Sequence, residues 1–359
     1  DGLRFFAMIS IVFLHISSTY KNKHSELVLY EDNFLSNALA GGGVGVQLFF
    51  AISGFILAKP FADAILSGKK PVSYSLYIKK RLLRLEPPFI LALSLRLLLL
   101  LFLTSESGLF LNYLSSLFYS HTLIYEQPSL ILGAAWTLEV EFQFYLVAPF
   151  LAKLYFSTGV IARRCAACFI ILLGCLMANR LGVRLSLSFF GQVQYFMIGF
   201  IVLDFYERVK VQRSVIVDLI GLFGVCYLTL HTHMFQLYGP VDELLSVLSI
   251  LCIFVAAIWG SAFNYITSIR WFAALGGMCY TIYLFHGTMI SLFMNRFTAR
   301  FNLGDGYALN LLIQLIVVGG FIFLCSPILF LILERPFMRR DWPQRFFGVF
   351  RKNRKSSNL

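Results

Sequence analysis

Charge is what this chain has least of. Asp, Glu, Lys and Arg make up only 13% of its 359 residues, about half the quarter usual in soluble domains. Acids are scarcer still, with 18 against 30 basic residues. At 58% hydrophobic and a mean hydropathy of +0.77, the chain cannot cover a water-soluble globule. That excludes a soluble enzyme and leaves a polytopic membrane protein of all-α class. Cysteine is also sparse. The seven present lie in or beside apolar runs, and the lone CxxC of Cys165 and Cys168 has no second pair. A zinc or redox site is therefore not expected, and the thiols read as small core- or lipid-facing groups. Internal repeats, long linkers and a soluble domain are missing, as are P-loop, GxSxG and HExxH patterns. A net charge of +12 could suggest nucleic acid. The basic residues, however, sit in short loops and at the end of the chain, where a membrane protein keeps its topology signals, so no nucleic-acid partner is expected.

What is there is about ten apolar spans, near 3–20, 41–59, 86–103, 130–152, 165–182, 187–206, 215–232, 244–262, 272–295 and 308–333. Each is close to the length that crosses about 30 Å of hydrocarbon. The first run lacks a basic start and a small-residue cleavage site, so it is expected to remain as a helix. Lys and Arg concentrate in alternate loops, which places both termini in the cytoplasm. Residues 1–335 read as one transmembrane domain and 336–359 as a basic cytoplasmic tail. Residues 104–129 and 231–243 read as outer loops that could shape an outward pocket. Residues 74–85 read as an amphipathic surface helix, with Pro87 and Pro88 breaking the chain before the next span. The second span is Gly-rich at its start and the fourth carries two glutamates, so these two should line the interior.

The first span organises the rest. Arg4 and His15 are eleven residues apart, which returns to nearly the same helix face about 16 Å along the axis. Ionisable groups at membrane depth are costly and usually face a cavity or a partner. A neutral imidazole there can act as a general base; the alternative is a core histidine satisfied by a neighbouring helix. Phe49 to Gly54 contains Ser53-Gly54, either a helix-packing motif or a hydroxyl aimed at substrate. Arg81 and Arg84 share a helical face and suit phosphates, or lipid headgroups as a plain anchor. Glu139 and Glu141 point to different faces, and Glu141 shares one with Tyr145. Tyr280, Tyr283 and His286 form a polar ridge at three-residue steps, read as the wall of a wet cavity. His231 and His233 fall short of a metal-binding pattern.

Six segments carry a family resemblance. They are DGLRFF with the Arg4-to-His15 spacing, GVQLFFAISGF, KKRLLRLEPPF, WTLEVEFQFYL with Pro149, MCYTIYLFH and a closing LERP at Leu333–Pro336. In this order the chain resembles the membrane acyltransferase 3 family over nearly its whole length, in the stand-alone form without an appended esterase-like domain. Thr137 stands where the family commonly has serine, and Glu86 where it is usually apolar. The resemblance implies a multi-pass cell-membrane protein, in the inner membrane if the source is bacterial. It also implies transfer of an acyl group, with acetyl-CoA the expected donor, from the cytoplasmic side. The acceptor would be a hydroxyl of an extracytoplasmic or lipid-linked glycan. His15 corresponds to the family's essential histidine and Arg4 to its paired arginine, while Arg81, Arg84 and Glu141 match further functional positions. The expected catalytic group is therefore His15, Arg4 and Glu141, with Glu141 orienting the imidazole. Arg81 and Arg84 would hold the donor, and Ser53, Tyr145, Tyr280, Tyr283 and His286 would line the substrate pocket. Expected partners are acyl-CoA, the glycan and membrane lipids. Direct transfer and an acyl-histidine intermediate both stay open. The rival reading is a transporter that moves a glycan or metabolite unmodified; a sensor on the same scaffold is a third.

Overall fold

The structure, a computed structural model, describes residues 1–24, 34–178, 180–210, 212–230, 239–297, 306–338 and 342. Among them the regular elements are helical, with one isolated bridge between Ser214 and Gly260. In chain order they are α1 (Gly2–Lys23), α2 (Phe34–Ala40), α3 (Gly45–Leu66), α4 (Tyr74–Leu103), α5 (Leu109–Leu117), α6 (His121–Tyr125), α7 (Ala135–Ser157) and α8 (Val160–Met177). There follow α9 (Val183–Ser186), α10 (Phe189–Tyr206), α11 (Val215–Leu230), α12 (Pro240–Trp259), α13 (Ala262–Ser268), α14 (Arg270–Gly277), α15 (Cys279–Phe297) and α16 (Tyr307–Leu329). A π turn, Phe330–Glu334, and a 3-10 turn, Arg335–Met338, close the described chain apart from Trp342. The segment with His231 and His233, and most of the basic tail, lie outside the described residues.

Seven helical stretches are long and apolar enough to cross a bilayer, or up to eight if α14 and α15 count as one span. The other two expected spans fall short of that measure. They are α7, which carries Glu139, Glu141 and Gln143, and α11, which has 16 residues. Backbone N–H and C=O groups find no partner in hydrocarbon, so a chain this apolar must satisfy them within helices.

Three expectations are corrected. First, Pro87 and Pro88 do not break the chain: α4 runs unbroken through both for 30 residues, about 45 Å. Proline has no N–H for the carbonyl four residues earlier, so Pro87 leaves the Leu83 oxygen without its helical donor. The Trp342 indole N–H donates to it at 3.1 Å. Second, the ninth span is two helices, bent by 72° between Gly277 and Cys279. Third, residues 104–129 are not an outer loop. The Tyr113 hydroxyl lies 3.0 Å from that of Ser94, and the Tyr119 ring stacks on Phe89. The chain after α4 therefore turns back and descends beside it. Backbone that re-enters at membrane depth must be satisfied by protein. Here the Ser116 and Ser129 hydroxyls meet at 2.7 Å, His121 Nε2 meets Asn112 Oδ1 at 2.6 Å, and the Thr122 N–H donates to Glu139 at 3.0 Å. Tyr119 takes a left-handed φ of 53° at the foot of the hairpin.

The centre of the bundle is the crossing of α3 with α10. Phe50, Phe144, Phe196 and Phe200 fill the space around it and are all nearly inaccessible. A Cβ on Gly54 would run into the Phe196 backbone, and one on Gly199 into the backbone of Ala51 and Phe55. Neither helix can yield without moving the bundle. Gly54→Ala and Gly199→Ala should each destabilise the protein by about 1–3 kcal/mol, the usual cost of overpacking. Thermal unfolding of the detergent-solubilised variants measures this. An unchanged midpoint for both would contradict the close crossing.

Candidate active site

Five helices carry one polar or aromatic residue to a pocket near one end of the bundle and a second to a pocket beyond it. On α1 these are Arg4 and His15; on α3, Ser53 and Gln47; on α4, Arg84 and Arg96; on α7, Glu141 and Trp136; on α15, Tyr280 and His286. The first pocket is narrow, about 130 Å³, and gathers Arg4, Arg81, Arg84, Glu141, Ser53, Tyr145 and Tyr280. The second is about 890 Å³ and contains His15, His286, Arg96, Gln47 and Trp136. Val46 and Tyr283 belong to both walls. A third cavity, about 450 Å³, joins the narrow one at Arg4 and adds Lys59 and Arg213. Lys59 is already paired with Glu207 at 2.6 Å and Asp63 at 3.3 Å.

The arginine end is held from several sides. Ser53 donates to Glu141 at 2.9 Å, and Tyr145 is hydrogen-bonded to the same carboxylate. In the Ser53-Gly54 pair the glycine permits the helix crossing, as a packing motif does, and the serine lines the pocket. Arg84 lies 3.7 Å from Glu334 of the closing LERP. Glu334 is fully buried and accepts from the Thr281 N–H at 3.2 Å and its hydroxyl at 2.6 Å. Tyr280 donates to the Leu85 carbonyl at 2.9 Å, which ties α15 to α4 at the pocket floor. Arg4 pairs with the exposed Asp1 at 3.1 Å, a contact worth little in water.

At the other end His15 Nδ1 lies 2.8 Å from His286 Nε2, with the rings 12° from parallel. His286 is buried, and its Nδ1 lies 2.7 Å from the Tyr283 carbonyl and 3.2 Å from that of Ile282. Carbonyls only accept, so Nδ1 of His286 carries the proton and its Nε2 is the acceptor. His15 must then donate from Nδ1, which leaves its Nε2 as the basic nitrogen. The wall between the pockets is pinned as well: the Tyr283 hydroxyl lies 2.7 Å from that of Thr137 and 3.2 Å from the Ala134 carbonyl.

The structure thus joins Arg4, Arg81, Arg84, Glu141, Ser53, Tyr145 and Tyr280 in one pocket, and His15 with His286 in the next. It does not bring Glu141 to His15: the partner of that imidazole is His286. Glu334, Thr281, Trp136 and Arg96 were not singled out from the sequence as site residues. LERP already carried Glu334, and Arg96 stood alone inside an apolar span.

Fold and site together define a multi-pass helical membrane protein with two ionisable pockets meeting across a tyrosine. The chain belongs to the acyltransferase 3 family, whose acyltransferase-domain model matches residues 1–331. It is similar to the O-acetyltransferase OatA of Staphylococcus aureus, in strains NCTC 8325, COL and MRSA252 alike. Identity is 24% over 329 residues, which covers 83% of this chain and 51% of each relative. The chain therefore spans about half the length of the curated relatives it matches. No solved structure matches it significantly.

Proposed function

We propose that this protein is a membrane O-acyltransferase that moves an acetyl group from acetyl-CoA, bound at the arginine end, to a glycan hydroxyl in the larger pocket. The observation that carries the reading is the shared Tyr283–Val46 wall, which brings an arginine-lined slot against a pocket holding a basic imidazole. The arginine end faces the cytoplasm on this reading, as do both termini, because Lys and Arg concentrate there. Residues 1–335 form the transferase and 336–359 a basic cytoplasmic segment.

The residues fit the donor. Arg4, Arg81 and Arg84 line the slot, with Asp1, Glu334 and Glu141 beside them, and guanidiniums are the groups that hold polyanionic phosphates through paired hydrogen bonds. The narrow slot would take the donor's thin pantetheine arm. The nucleotide would rest in the neighbouring cavity beside Arg4 and Arg213. The thioester then meets the acceptor near Tyr283. His15 Nε2 takes the hydroxyl proton as the oxygen attacks the thioester carbonyl. The C–S bond breaks, and the leaving thiolate recovers the proton from the imidazolium. The His286–carbonyl chain keeps His15 in the tautomer this needs, the part a carboxylate plays in hydrolase triads.

The test is incubation of purified protein in nanodiscs with radiolabelled acetyl-CoA and a panel of oligosaccharides. Covalent label on an acceptor is expected. Vesicle uptake of the same sugars without modification would replace the enzyme by a transporter. The arginines divide in a second measurement. Arg81→Ala should raise KM for acetyl-CoA about tenfold with kcat nearly kept, the pattern of lost donor binding. Arg84→Ala should also lower the thermal midpoint, because it strands the buried Glu334 carboxylate. Unchanged KM in Arg81→Ala would return that residue to lipid anchoring.

A further inference from the structure

Arg96 is a charge inside a membrane-spanning helix that no described side chain answers. It lies about two turns before the end of α4 and lines the larger pocket. Among the described residues it makes no ion pair, and the pocket wall holds no Asp or Glu. In the narrow pocket, by contrast, Arg4 and Arg84 have carboxylates beside them and Arg81 lies over the Tyr77 ring. An arginine at this depth is costly unless it pairs or faces a wet cavity, and such residues mark substrate paths. The same pocket is lined by groups that recognise sugars by other means: the Trp136 indole for a ring face, and Gln47 and Ser291 for hydroxyls. His15 and His286 are already engaged with each other.

Resting on the transferase reading above, we infer that the acceptor is an anionic saccharide, and that Arg96 holds its carboxylate or phosphate while His15 takes a proton from a hydroxyl on the same molecule. Guanidinium geometry suits both anions bidentately. A neutral glycan would leave Arg96 unpaired in a low-dielectric pocket and so bind less well, because a polar site discriminates strongly against the analogue that fails to fill it.

The test uses p-nitrophenyl β-glucuronide, p-nitrophenyl β-glucoside and the 6-phosphate of the latter, which differ only at carbon six of the sugar. Acetyl transfer to each is measured in nanodiscs, and binding of each is followed by saturation-transfer NMR on the same samples. For the unaltered protein, KM or dissociation constant should be about tenfold lower for at least one anionic sugar than for the glucoside. The glucuronide and the phosphate arms separate a carboxylate-bearing acceptor from a phosphorylated one. In Arg96→Gln the ratio should collapse to near one, because the affinity for the anionic sugar falls to that of the glucoside. Arg96→Lys, which keeps the charge without the planar fork, should retain part of the preference. Equal affinity for all three sugars, or a preference that survives Arg96→Gln, overturns the inference. Binding decides this even if no label is transferred, and absent transfer would count against the acyltransferase reading alone.

Discussion

His15→Ala should lower acetyl transfer by a factor on the order of 10²–10⁴, the usual weight of a general base, with the protein still inserted and folded. The side chain faces a cavity rather than the core, so its loss leaves no unsatisfied partner beyond His286 Nε2. His286 makes the prediction more specific. His286→Phe removes the acceptor for the His15 Nδ1 proton, frees the ring to take the wrong tautomer, and should cost an order of magnitude or more. His286→Gln can accept from Nδ1 through its amide oxygen and should recover much of that loss. A merely structural role for His286 would not separate Gln from Phe in this way. If His15→Ala and His15→Gln both transferred at full rate, the mechanism would fail.

The sequence revealed those features that depend on one helix at a time. The face shared by Arg4 and His15, the pairing of Glu141 with Tyr145, and the ridge of Tyr280, Tyr283 and His286 all follow from helical periodicity. In the structure Glu141 and Tyr145 line the narrow pocket together, whereas Arg4 and His15 open into separate pockets and the ridge runs from Tyr280 in the narrow one, across Tyr283, to His286 in the larger. What escaped needed knowledge of a second element. Residues 104–129 looked like an outer loop because the segment between two apolar spans is long, poor in basic residues and holds acids and aromatics. Its Ser, Asn and His side chains bond to one another inside the bundle, which is how backbone survives at depth. Pro87 and Pro88 looked like a break because a proline deprives an earlier carbonyl of its donor; Trp342, far along the chain, supplies one. Glu141 was matched to His15 through the family resemblance and the part a carboxylate plays in hydrolase triads, and only the fold shows that His286 occupies that place.

The basic residues read as topology signals have a second role, and it yields the largest expected effect on stability. Arg163 and Arg164 of α8 and Arg208 beyond α10 converge on Asp204, which is completely buried. Arg163 donates to one carboxylate oxygen and is itself 2% exposed; Arg164 reaches the other at 2.7 Å and Arg208 the first at 3.2 Å. The stacking of Arg163 over Tyr155 and Phe156 leaves it no route to water. Asp204→Asn therefore strands a buried guanidinium, and breaking such a pair costs about 3 kcal/mol or more. Arg164→Gln removes a half-exposed partner while Arg163 stays paired, so its effect should be much smaller. The double variant Asp204→Asn/Arg163→Met replaces the stranded charge by apolar volume and should be more stable than Asp204→Asn alone, because an absent pair is cheaper than half of one. Thermal unfolding of the purified proteins gives the order. An Asp204→Asn midpoint equal to that of the unaltered chain would show that the cluster does not hold α8 to α10.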